Sequence, residues 1–266
     1  MDLNIKGRTA VITGAAGDMA YETAKILQAE GCNLVLSDID EDELKQVMDK
    51  LDQGVVSVVA DLSEQAGADR IAEACDEAGW DCDILIHAAG VTGAKGDPLD
   101  DIDEDDWMHA WNTDFMTAVR ISKAFIPGMR KRGWGRAIFV TSENVAQPYP
   151  DEAVYNASKS AVLSFATSMS QIYAQEGVLV NCVAPAFIKT DMTDGMMEKR
   201  AKERGTSVDE AVESFLEEER PHLSLKRRGR PEEVAFVIAC LASERASFVN
   251  GSNWRVDGGS VQAINI

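Results

Sequence analysis

The sequence predicts an α/β fold: a doubly wound, mostly parallel sheet of the Rossmann type, about seven strands with helices on both faces and a helical lid. Three observations predict it. Short apolar runs recur along the whole chain, helical-period segments separate them, and the first run leads straight into a glycine turn and a helix. Strands that alternate with helices build βαβ units, whose sheet is covered on both faces.

The first strand is Thr9 to Thr13 (TAVIT). Ala20, Ala24 and Leu27 then recur at helical spacing, and Gly31 stands where that helix stops. Further strands are read at Asn33 to Ser37, Val55 to Ala60, Asp83 to His87, Ala137 to Thr141, Val178 to Val183 and Asn253 to Val256. The longest helix carries Val154, Ala157, Ala161, Phe165, Met169 and Ile172 on one face. Pro231 before Glu232 and Glu233 is a helix start, with proline first and acids in the first turn. Seven acids in the ten residues from Asp97 to Asp106 read as a solvated loop entering a helix. The charged stretch 190–225 reads as the lid. With no linker, repeat or low-complexity tract, 1–266 is expected to be a single dinucleotide-binding domain.

Lys+Arg 26 against Asp+Glu 45 gives a net charge of −19, which repels a phosphate backbone and an anionic membrane surface. No nucleic-acid or membrane partner is therefore expected. The longest apolar run, Val234 to Ala242, is far short of the ~20 residues that span a bilayer. The start, Met-Asp-Leu-Asn-Ile-Lys, lacks the basic and apolar regions of a secretory signal. Five cysteines at 32, 75, 82, 182 and 240 form no close pair, so reduced thiols and a cytoplasmic location are expected. The three histidines have no metal-ligand spacing, and no metal is expected.

The chemistry starts at Thr13-Gly14-Ala15-Ala16-Gly17-Asp18-Met19-Ala20. Glycines there let the backbone turn sharply and approach a pyrophosphate, and free N–H groups at the helix start favour an anion. Gly14, Gly17, Asp18 and Met19 are the candidate phosphate contacts. Asp18 is suited to capping the helix. Asp38, at the end of the second strand, can accept from the adenosine ribose hydroxyls and repels a 2′-phosphate. At ~4 Å and an effective dielectric near 20, each charge pair is worth roughly 4 kcal/mol before screening. No Lys or Arg stands at 15–18 or 37–42, so NAD is expected over NADP.

Tyr155 and Lys159 are one helical turn apart, and Ser142 lies thirteen residues before the tyrosine, just past the fifth strand. Ligands of an open parallel sheet bind at the carboxyl ends of its strands, so Ser142 and the glycine turn share an edge. An ammonium at ~4–5 Å favours phenolate by roughly 3–4 kcal/mol, which would bring a phenol toward useful general acid–base strength.

These residues together resemble the short-chain dehydrogenase/reductase family, over essentially the whole chain. Thr13 and Gly14 match its T-G-x-x-x-G-x-G pattern, whereas Asp18 and Ala20 replace the second and third glycines. Its N-N-A-G element appears as His87-Ala88-Ala89-Gly90, with His87 expected to pack beneath the cofactor. The resemblance implies that Ala88, Ala89 and Gly90 line the cofactor, that Asp61 and Leu62 meet the adenine ring, and that Pro185, Ile188 and Thr190 hold the carboxamide end. It also implies that Tyr155 exchanges a proton with substrate oxygen, that Lys159 holds the nicotinamide ribose, and that Ser142 binds the substrate oxygen. Asn112 is matched to the family asparagine that anchors a water beside Lys159. A homotetramer or dimer is implied too, with the apolar face of the Tyr155 helix and the tail 261–266 as contacts.

Asn144, Gln147, Phe187, Met192 and Met196 are the candidate substrate contacts, and the adaptable methionines suit an apolar pocket. The lid resembles that of bacterial 3-hydroxybutyrate dehydrogenases, but Asp151 and Glu152 oppose a carboxylate. A neutral secondary alcohol or ketone is therefore expected as the small-molecule partner. A 3-oxoacyl-thioester reductase is the alternative, with Arg130, Lys131, Arg132 and Arg136 meeting an acidic carrier. A 3-hydroxy acid dehydrogenase and a dinucleotide-sensing binding module complete the alternatives. Met-Ala-Tyr at 19–21 resembles enoyl reductases, whose Tyr–Lys spacing is longer.

Overall fold

The computed structural model describes residues 2–263. Seven strands form one parallel sheet: β1 (Thr9–Thr13), β2 (Asn33–Asp38), β3 (Val55–Val59), β4 (Ile84–His87), β5 (Gly135–Val140), β6 (Val178–Pro185) and β7 (Asn253–Val256). Their order is β3-β2-β1-β4-β5-β6-β7. The order reverses between β1 and β4, and the crevice of a doubly wound sheet opens at that point.

The strands read as continuous apolar runs because both faces are covered. Ala10 and Ile12 of β1 point into one core while Val11 points into the other. Leu34 and Leu36 divide from Val35 in the same way, as do Ile84 and Ile86 from Leu85. Helices α1 (Asp18–Ala29), α2 (Glu41–Met48) and α9 (Pro231–Ala242) cover the first face. Helices α3 (Gln65–Ala78), α5 (Met116–Arg132) and α6 (Ala153–Tyr173) cover the second. The acidic stretch enters α4 (Glu104–Ala110) through a reciprocal cap between Asp103 and Asp106. A π-bulge at Trp111–Phe115 joins α4 to α5. The lid is the pair α7 (Asp191–Arg204) and α8 (Val208–Glu218), packed over a small core of Phe187, Met197, Phe215, Leu216 and Leu223.

The face that α6 turns inward coincides with its apolar stripe only in part. It buries Val154, Ser158, Lys159, Val162, Ala166 and Met169, while Ala157 is exposed and Ile172 is 63 % exposed. The helix carries apolar residues on both sides, and the body takes the stripe that delivers Ser158 and Lys159 inward. Among the described residues no helix is long and apolar enough to cross a membrane. Residues 264–266 of the expected C-terminal contact lie outside the described residues.

Candidate active site

Parallel register sets the site. Thr13 pairs with Ser37 and His87, His87 with Phe139, and Val140 with Val183. The residues that follow these positions therefore emerge along one edge: the Gly14 turn, Asp38, Ala88, Ser142 and the segment after Pro185.

Gly14 has a φ of +67°, and a Cβ there would stand 2.6 Å from the backbone nitrogen of Ala89. The turn is therefore closed to any side chain. The Ala15 N–H donates to the Ser37 carbonyl at 3.1 Å, and the Gly17 N–H to that of Gly14 at 3.2 Å. Among the described residues, no protein acceptor meets the N–H groups of Asp18 and Met19. They open α1, where the helix dipole favours an anion. This cradle, without side chains and lined with unpaired N–H donors, fits the pyrophosphate of a dinucleotide.

Asp38 is tied to that cradle. Its Oδ2 accepts from the Ala16 N–H at 3.0 Å, and Oδ1 accepts from the N–H groups of Ile39 and Asp40 at 2.7 and 3.2 Å. The rim is acidic: the charges of Asp40, Asp38, Asp191 and Asp18 all help raise the Glu43 carboxyl, after burial. Asp18 does not cap its own helix. Its Oδ2 accepts from the Asp191 N–H at 2.9 Å, so it joins the glycine turn to the first turn of the lid. Asp61 bends its corner by accepting from the Ser63 N–H at 2.8 Å, and Leu62 is buried beside it. A Cβ on Gly67 would run into the Asp61 carbonyl, so α3 starts hard against this corner.

Ser142, Tyr155 and Lys159 come together. Lys159 is 5 % exposed, its Nζ lies 5.6 Å from the centre of the Tyr155 ring, and it donates to the Val140 carbonyl at 3.3 Å. Burial pushes the Tyr155 phenol above its ordinary value; Lys159 and the Ser142 hydroxyl pull it down, and Asp114 and Glu152 push it up. The expected lowering by Lys159 is thus outweighed by desolvation and two carboxylates.

Asn112 does not join them. Its Nδ2 donates to the Ser63 carbonyl at 3.1 Å, and its Oδ1 accepts from Arg120 at 2.6 Å. It clamps the corner after β3 at Ser63 instead. Asp114, two residues on and fully buried, takes the place expected of it. Asp114 Oδ1 accepts from the Val91 N–H at 2.7 Å, and Oδ2 accepts from the Ser158 hydroxyl at 2.6 Å. A Cβ on Gly90 would lie 2.8 Å from both Asp114 Oδ1 and Lys159 Nζ, so the two charges flank that glycine. The π-bulge supplies the rotation that turns residue 114 inward.

Ala88 donates its N–H to the Thr13 carbonyl at 3.1 Å, beside Ala89 and the turn. His87 is fully enclosed, its two ring nitrogens meet Thr13 and Thr117 hydroxyls at 2.8 and 3.2 Å, and burial and Lys159 lower it to about 3. It is a neutral packing residue. Pro185 ends β6, and Ile188 is buried and bridged to Gly229. Thr190 is the N-cap of α7, its hydroxyl accepting from the Thr193 N–H at 3.4 Å. Among the described residues, no group of three or more His, Cys, Asp or Glu side chains could hold a metal ion.

A family model described as enoyl-(acyl carrier protein) reductase matches residues 14–261. The chain belongs to the short-chain dehydrogenase/reductase family. The structure of L-sorbose reductase from Gluconobacter frateurii, complexed with NADPH and L-sorbose, is 29 % identical with a TM-score of 0.92, covering 99 % of this chain and 100 % of that one. The uncharacterized oxidoreductase YvaG of Bacillus subtilis is 29 % identical over 99 % of this chain and 100 % of its own. The 3-oxoacyl-[acyl-carrier-protein] reductase FabG of Vibrio cholerae is 28 % identical over 97 % and 98 %.

Around the centre of this short-chain dehydrogenase/reductase, the expected substrate residues divide. Asn144 is buried in a network: its Oδ1 accepts from the Ser142 hydroxyl at 2.8 Å, and its Nδ2 donates to Glu152 and Asn156 at 2.7 and 2.8 Å. Gln147 donates to the Tyr149 hydroxyl at 3.2 Å. Phe187 and Met196 pack in the lid core, and Met192 is 60 % exposed. The wall next to Ser142 is polar, not the expected apolar one. Most of the basic cluster is engaged within the chain: Arg130 pairs with Glu176 at 2.9 Å, Arg132 with Asp81 at 2.9 Å, and Arg136 is buried, while Lys131 is exposed. Glu143 and Arg220 were not anticipated. The glutamate directly follows Ser142, but the arginine comes from the far end of the lid, and no spacing signals that meeting.

Proposed function

We propose that the protein is an NAD-dependent oxidoreductase that interconverts a secondary alcohol and its ketone, with Tyr155 as general acid and base. The convergence of Ser142, Tyr155 and Lys159 on the strand edge that carries the Gly14 turn supports this reading. When bound, a nicotinamide dinucleotide supplies the hydride chemistry. Its pyrophosphate would rest on the N–H groups of Asp18 and Met19, its adenosine ribose on Asp38, its adenine by Asp61 and Leu62, and its nicotinamide ribose on Lys159. Ala88, Ala89, Gly90, Pro185, Ile188 and Thr190 would line the rest of the groove, Thr190 through its backbone because its hydroxyl caps α7.

Ser142 orients the substrate oxygen. In alcohol oxidation Tyr155 takes the hydroxyl proton, and in ketone reduction it returns one. Lys159 stabilises the phenolate. Asp114 holds Ser158 and the backbone at Val91, and its charge opposes phenolate formation. Replacing Asp114 by Asn should therefore lower the Tyr155 pKa, because a negative neighbour is removed. Alcohol oxidation needs phenolate and rises with pH through that pKa, so its pH–rate curve should move to lower pH in Asp114→Asn. A curve that stays put or moves up would remove Asp114 from this role.

The acidic rim supports NAD. A 2′-phosphate there would face Asp38 and its acidic neighbours at roughly 4 kcal/mol per pair before screening. Wild type should use NAD(H) at least about tenfold better than NADP(H) in kcat/KM, and Asp38→Asn should shrink that preference. Faster turnover with NADP(H) at equal concentration would overturn the assignment.

The deciding experiment follows NADH formation across secondary alcohols, 3-hydroxy acids and 3-hydroxyacyl thioesters. Turnover of secondary alcohols supports the reading; cofactor binding with no turnover anywhere would make the protein a sensing module. An acyl-carrier substrate is disfavoured by the internal pairing of Arg130 and Arg132. We further propose one domain over 1–266, a cytoplasmic location consistent with five free thiols, and a homotetramer or dimer that covers the outer side of α6 around Ile172.

A further inference from the structure

We propose that the wall beyond Ser142 is a hydroxyl-binding subsite, so that the substrate is a neutral polyol and its ketose. This rests on the reading of the protein as an alcohol–ketone oxidoreductase. Glu143 is only 3 % exposed. Its Oε1 accepts from the Tyr149 hydroxyl at 3.0 Å, whereas its Oε2 has no hydrogen-bond partner among the described residues. The Ser260 hydroxyl, fully buried, faces the same carboxylate. Arg220 reaches in from the end of the lid and lies over the Tyr149 ring at 3.6 Å. Its Nε stands 3.5 Å from Glu143 Oε1 without forming a hydrogen bond, and Nη2 is 3.9 Å from Glu152.

This cluster is continuous with the reacting centre. The Ser142 hydroxyl donates to Asn144, and Asn144 donates to Glu152, which faces Arg220. The Glu143 Oε2 acceptor and the Arg220 Nε donor are thus buried without hydrogen-bond partners, starting one residue from the group that would hold the reacting oxygen. Buried polar groups are rarely left so, because each costs the desolvation it cannot recover. A substrate hydroxyl both donates and accepts, so it can satisfy the carboxylate and the guanidinium together. Lys95 also pairs with Glu152, at 2.5 Å, so two carboxylates meet two cations here and the charge-balanced wall favours a neutral substrate. An aliphatic chain would seal the unpaired groups in place.

The test compares a hexitol and a ketohexose with 3-hexanol and 3-hexanone, molecules of equal carbon count, at saturating cofactor. Wild type should favour the hydroxylated pair at least about a hundredfold in kcat/KM, since a site built to bond hydroxyls rejects analogues without them. Glu143→Gln and Arg220→Met should each cut that preference by about tenfold to a hundredfold, chiefly through KM. Two variants on separate segments guard against one that fails to fold, and NADH binding to each reports an intact cofactor half. Equal use of the two classes by wild type, or an unchanged preference in both folded variants, would overturn the subsite and leave the alcohol–ketone reading standing. Turnover of neither class would overturn both.

Discussion

Replacing Tyr155 by Phe should lower kcat by about 10²- to 10⁴-fold, the usual worth of a positioned general acid or base, with NADH affinity changed only a few-fold. The ring stays and the proton carrier goes. Tyr155 is placed for that task by α6, which carries Lys159 one turn further along and turns both toward Ser142. The ring and the buried Lys159 share a site in which the phenol is raised by desolvation first. A phenol whose pKa is raised stays protonated at neutral pH and has a proton to give, so reduction of a ketone should tolerate neutral pH, while oxidation, which needs phenolate, should require more alkaline solution. Steady-state kinetics with NADH titration checks both halves. Normal turnover in Tyr155→Phe would end the assignment.

The second large effect is at Gly14. Gly14→Ala should destabilise the protein by about 2–4 kcal/mol and abolish measurable dinucleotide binding. The left-handed backbone alone costs an alanine roughly 1–2 kcal/mol. The remainder comes from overpacking, because the new methyl would sit 2.6 Å from the Ala89 nitrogen and 2.8 Å from the Ala88 carbonyl carbon, both backbone atoms that cannot swing aside. Easing the clash must part β1 from the loop after β4, and that opens the cradle. A thermal melt should fall by about 5–15 °C. A melt and an NADH affinity equal to wild type would mean that the turn is not packed as described.

Several features were legible in advance because they are local. Each strand is a buried apolar run, and a buried run has few other uses in a chain of this composition. The Gly14 turn is legible because few residues can make it, and the Tyr155–Lys159 pair because helical spacing alone puts both on neighbouring positions. The misreadings came where two elements meet. Motif matching points to Asn112, but a π-bulge lies between α4 and α5, and it is Asp114 that faces Gly90 and Lys159. The apolar stripe of α6 is buried only in part, with Val154, Phe165 and Met169 on the core and Ala157 and Ile172 exposed, because the helix has apolar residues on two sides. Asp18 was assigned to its own helix, although its carboxylate meets a backbone N–H 173 positions away.

By itself, then, the amino-acid order determined the family, the sheet, the Gly14 turn and the grouping of the serine, tyrosine and lysine, because each depends on spacing within one element or on a turn only certain residues allow. The tertiary structure alone decided which carboxylate stands beside Lys159, how the phenol is tuned, and that Glu143 and Arg220 share a polar wall. Those properties arise from burial and from distances between groups far apart in the chain, and Coulomb and desolvation energies depend on distance in space, for which separation along the backbone is no guide.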